Sequence, residues 1–138
     1  MKPMHRVARR YLGRMAIAMT VYLASLFAAD YLIEDIGVSR PAAFALALIP
    51  GLASASVFWA VGMFIVETKD EFMRMFMVRV QLIATGFAMT VFCVWGFLEE
   101  YTLVPHMAGY MILVLWAFGQ LVGLVTNRVT LGTWGECW

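Results

Sequence analysis

Four apolar runs, residues 15–33, 42–66, 80–98 and 107–126, constrain this chain more than anything else in it. At ~1.5 Å per helical residue, each is long enough to cross a hydrocarbon core of ~30 Å as a single helix. Inside such a core no water is available to the backbone, so a lipid-facing segment must satisfy its own amides and carbonyls, and a helix does that. Composition points the same way: 63% of the 138 residues are hydrophobic and 14% are charged, against roughly 25% charged residues in a soluble domain. The expected fold is an all-α membrane protein, a four-transmembrane-helix bundle occupying residues 1–138 as one domain. The length leaves no room for a separate soluble domain.

Charge placement sets the expected orientation. Nine of the ten Lys and Arg residues fall in the amino-terminal arm, the link after the second run and the carboxy-terminal tail. Only Arg40 lies on the other side, with Asp30, Glu34, Asp35, Glu99 and Glu100. Basic residues accumulate on the cytoplasmic side of membrane proteins, so both termini are expected to be cytoplasmic, N-in and C-in. The arm, MKPMHRVARRYLGR, is basic and free of acid. Its arginines fall largely on one helical side and Met4, Val7, Tyr11 and Met15 on the other, which suits either an orienting flank or a surface helix drawn to anionic lipid. The first run has the look of a secretory signal. Cleavage after Ala28 or Ala29 would, however, place Leu26 or Phe27 where a small residue is needed, so an uncleaved span is expected.

The compact polar turn over residues 66–79 holds six of the nineteen Lys, Arg, Asp and Glu residues. Thr68 followed by Glu71 matches a capping box, which predicts a helix starting at Lys69. Asp70 and Arg74 have the spacing and order of a favourable helical ion pair. Glu67, Thr68, Lys69, Asp70, Glu71 and Arg74 thus read as a structural turn, or as a docking site for a cytoplasmic partner. The stretch Glu67-Thr-Lys-Asp70-Glu71-Phe72-Met-Arg74 resembles the E-x-x-D-E-[LF]-x-R motif that follows the second span in small uncharacterised four-helix membrane proteins of bacteria; Met73 stands where Gln is expected. That resemblance implies a bacterial inner-membrane setting and no particular activity.

Other features bear on packing and binding. Pro50 cannot donate to the Leu46 carbonyl, which predicts a kink. Ala47, Gly51 and Ala55 are spaced by four, as are Gly119 and Gly123, and small residues at that spacing let helices approach closely in lipid. The partner of Gly119 and Gly123 is expected to be the second helix or another subunit. Gln81 and Gln120, the long polar side chains of the spans, are expected to hydrogen-bond between helices. Arg128, Trp134 and Trp138 look like interfacial anchors. Asp30 and Glu34 form a candidate outer acidic site, with Asp30 expected to reach solvent or to pair with Arg40.

No run carries a charged residue or a histidine at its middle. A proton-coupled pump of the small multidrug type needs a carboxylate in its first helix, and residues 21–29 have none. His5 and His106 belong to different segments, and Cys93 and Cys137 make neither a disulfide framework nor a metal site. No nucleophile with its base is recognisable. The expectation is therefore a non-enzymatic membrane protein without cofactors or metal. It acts through helix association, as an accessory or structural subunit of a membrane complex or as a small homo-oligomer. Its expected partners are the lipid bilayer and other membrane subunits or itself, with no nucleic acid. The alternative is a small-molecule, quinone, pigment or lipid binding or transport protein with a cleft at the Pro50 kink, lined by Ser54, Ser56 and Thr85.

Overall fold

The computed structural model describes the backbone of residues 3–135 and the side chains of residues 6–135. Lys2, Cys137 and Trp138, and the side chains of Met4 and His5, lie outside the described residues. Helix α1 spans Pro3–Asp30 and passes into a π-helical segment, Tyr31–Ile36. Helices α2, α3 and α4 follow at Arg40–Glu67, Glu71–Glu100 and Met111–Leu131, and no strand occurs among the described residues. All four helical stretches, with the first counted over Arg6–Ile36, are long and apolar enough to cross a membrane.

The chain divides into two compact units, Met1–Lys69 and Asp70–Trp138. Each is a hairpin of two helices, α1 with α2 and α3 with α4. In the first, Ala18, Tyr22 and Ala29 of α1 are buried, as are Val57, Ala60, Val61 and Phe64 of α2. These recur at helical spacing, so each helix buries one stripe. Tyr11 stacks on Phe64 with ring centroids 4.5 Å apart. From Pro3 onward the basic arm is therefore not a separate surface helix but the first turns of α1 itself. Helix α2 continues unbroken through Pro50, which is buried.

The link between α1 and α2 is shorter than the polar stretch from Asp30 to Arg40 suggests. The helix carries on through the π segment to Ile36. Gly37 then closes it at φ 71°, a left-handed conformation that costs glycine least. Only residues 37–39 are non-helical, and Pro41 occupies the first turn of α2, where its missing amide is no loss.

The helix ends near the polar turn differ from the expected capping box. Thr68 does not start α3. It closes α2, its amide bonding the Phe64 carbonyl at 3.1 Å and its hydroxyl donating to the same oxygen at 2.6 Å. Asp70 is the N-cap of α3, its carboxylate accepting from the Met73 amide at 3.0 Å. Since Asp70 lies outside the helix and its side chain turns to that amide, it makes no ion pair with Arg74. Helix α4 is also displaced, beginning at Met111 and not at 107, and ending at Leu131 and not at 126. Asn127 and Arg128, expected in the tail, belong to its last turn and a half.

Candidate functional site

In the first hairpin the chemistry gathers where the amino-terminal part of α1 meets the carboxy-terminal end of α2. Arg14 Nη2 donates to Glu67 Oε1 at 2.9 Å, with the two side chains 27% and 21% exposed. The Arg14 guanidinium also lies 5.3 Å from the centre of the Trp59 ring, within range of a cation–π contact. Arg14 Nη1 and Glu67 Oε2 are buried without hydrogen-bond partners. Among the described residues neither charge has another charged partner, so each depends on the other. Thus Glu67, expected in the docking turn, pairs with an arginine expected to act as a flank.

The second hairpin is knit along one seam. Phe76, Val80 and Ala84 recur every four residues on α3 and are buried, and Gly119, Gly123 and Asn127 do the same on α4. They meet in antiparallel register. A Cβ added at Gly119 would lie 2.6 Å from the Ala84 carbonyl oxygen, and one at Gly123 would lie 2.9 Å from that of Val80. The partner of the two glycines is thus the third helix of the same chain, not the second helix. At the next step Asn127, fully buried, donates its amide to the Phe76 carbonyl at 3.1 Å. Beside this seam Gln81 and Gln120 exchange two hydrogen bonds, each 3.0 Å, and the Trp116 indole donates to Thr85 Oγ1 at 3.2 Å. Gly135, at φ 78°, leaves a space that a Cβ would fill against the Phe76 ring.

At the opposite end of this hairpin, side chains of α3 tie down the α3–α4 loop. Trp95 donates to the Pro105 carbonyl at 3.0 Å. Glu99 binds His106 Nδ1 at 2.5 Å and accepts the Met107 amide at 3.1 Å. A cavity of about 470 Å³ opens there, lined by Phe92, Gly96, Glu99, Glu100, His106, Met107 and Gly109.

The remaining residues singled out in the sequence stand apart from these clusters. Lys69, Asp70, Glu71 and Arg74 are exposed. Asp30 and Glu34 are exposed too, and the π-helical turn begins between them, so they do not share a regular α-helical face. Asp30 forms no ion pair with Arg40. Ala47, Gly51 and Ala55 are exposed along α2, and a Cβ at Gly51 would meet nothing within 4 Å. Ser54 and Ser56 donate to the Gly51 and Ala53 carbonyls of their own helix. Arg128 lies over the Trp134 ring, 5.6 Å from its centre, and donates to the Gly132 carbonyl. No cluster of three or more metal-ligating side chains occurs among the described residues.

No protein-family model, curated protein or solved structure matches this chain. Its fold defines it as a multi-pass α-helical membrane protein with four candidate spans.

Proposed function

We propose that this chain is a non-enzymatic membrane protein that works by helix association, as an accessory subunit of a larger membrane complex or as a small homo-oligomer. One contrast carries the reading. The Gly119 and Gly123 row is filled by α3, whereas the Ala47, Gly51 and Ala55 row of α2 is exposed and open. In lipid, apolar surface alone gives helices no reason to associate, because acyl chains are equally apolar; close backbone approach through small residues does. The α2 row is therefore the surface through which a further helix docks.

Its setting is a bacterial inner membrane with both termini cytoplasmic, as the basic residues and the Glu67 to Arg74 motif favour. Lys69, Glu71 and Arg74 are then exposed cytoplasmic charges, available to a soluble face of the same partner. The cleft reading has less support, because the Ser54 and Ser56 hydroxyls bond within α2 and Thr85 accepts from Trp116. Purification in mild detergent tests the proposal. The wild-type chain should carry a stoichiometric helical partner or a second copy of itself, and Gly51→Leu should lose it while retaining its melting transition. A monomer without partners in both preparations would refute it.

A further inference from the structure

The exposed side of α1 has two chemically distinct parts on one continuous helix. Arg6, Arg9 and Arg10 are exposed at its start. No acidic residue precedes Asp30, so nothing nearby in sequence neutralises them. Arg14 is not part of this group, because its guanidinium is held by Glu67. One turn further, on the same helical side, Gly13 is exposed, and a Cβ there would meet nothing within 4 Å. Ile17, 67% exposed, and Ala24 continue that side into the apolar run.

From this arrangement we infer that the side of α1 formed by Arg6, Arg9, Arg10, Gly13, Ile17 and Ala24 binds an anionic phospholipid. The three guanidinium groups take the headgroup phosphate, to which arginine can donate two parallel hydrogen bonds. The upper part of an acyl chain lies over Gly13 and against Ile17. A soluble anion would use only the arginines, and a zwitterionic lipid brings the same phosphate but offsets its charge with its own ammonium group. A negatively charged amphiphile matches both in their order along the helix. Because α1 is unbroken from Pro3 to Asp30, the cationic turns are held at a fixed rotation above the track. The inference rests on α1 spanning the membrane and does not depend on the α2 association surface.

Reconstitution of the full chain in phosphatidylcholine vesicles, with trace spin-labelled lipid, tests it. Spin-labelled phosphatidylglycerol should associate at least about fivefold more strongly than spin-labelled phosphatidylcholine. Replacing the three exposed arginines (Arg6→Gln, Arg9→Gln and Arg10→Gln) should bring that ratio close to one. Gly13→Leu, which alters no charge, should lower the motionally restricted fraction of spin-labelled phosphatidylglycerol by about half or more. A wild-type ratio near one, a ratio unchanged by the arginine replacements, or a motionally restricted phosphatidylglycerol fraction unchanged by Gly13→Leu overturns the proposal. Absence of any motionally restricted component for both lipids would instead show that the chain does not span the bilayer, and would remove the reading beneath the inference.

Discussion

Arg14 and Glu67 lie 2.9 Å apart although 53 positions separate them in the chain. The pair fastens the amino-terminal part of α1 to the last residue of α2. It does so with one buried atom on each side chain left without a partner.

Removing one member strands the other in that setting. Arg14→Leu or Glu67→Leu alone should destabilise the protein by about 1–3 kcal/mol. The double replacement should lie closer to wild type than either single one, because no charge then remains buried. Thermal melting of the four proteins in one detergent closes the cycle. Additive losses would mean that the two side chains do not act as a pair.

The glycine seam predicts a different kind of damage. At Gly119 and Gly123 the neighbours of an added Cβ include the backbone of Ala84 and Val80, which cannot swing aside as a long side chain would. Gly119→Leu and Gly123→Leu should each cost about 1–3 kcal/mol or more as α3 and α4 separate. Gly62→Leu, at an exposed glycine of α2 with open space around it, should leave the melting temperature nearly unchanged. Equal effects at all three positions would contradict the register of the hairpin.

Two neighbouring polar residues should respond differently. Asp70→Ala removes the side-chain acceptor from the first turn of α3 and should cost about 0.5–2 kcal/mol. Asp70→Asn should recover most of that loss, since asparagine caps nearly as well. For Thr68, Thr68→Ser should be the milder change and Thr68→Val the harsher, because the hydroxyl bonds the Phe64 carbonyl at the end of α2. Circular dichroism during urea titration checks both. If Thr68→Ala frayed α3 while Asp70→Ala did nothing, the capping assignment would be reversed.

The four helices were legible in the sequence because run length and apolar content are strong signals in a chain this hydrophobic. Their ends were less so. Thr68 and Asp70 are both good cap residues, and local pattern cannot say which carbonyl or amide each will find. Asn127 looked like a tail residue because the apolar run stops at Thr126. It is buried because its amide finds the Phe76 carbonyl, a contact across helices that hydropathy does not register. Arg14 sat among other basic residues and read as a flank. A clue was present nonetheless. Arg14 immediately precedes the first run and Glu67 immediately follows the second, so an antiparallel hairpin brings the two close together. The spacing of Gly119 and Gly123 announced a close helix contact but not its partner, which only the α3–α4 register identifies.

The proposed orientation rests on the charge distribution and has a direct check. A reporter active only in the periplasm should be inactive when fused after Arg128 and active when fused between residues 99 and 106. Activity at both positions, or the opposite pattern, would contradict the proposed topology.

Association through α2 is the centre of this account, and site-specific photo-crosslinking in intact membranes tests it most directly. A photoreactive residue at Ala55 lies on the open small-residue row, whereas one at Ile49 is exposed on a different side of the same helix. The account predicts a discrete protein adduct from Ala55, either with one partner or with a second copy, and none from Ile49. Lipid adducts alone at Ala55, or the same protein adducts at both positions, would contradict it.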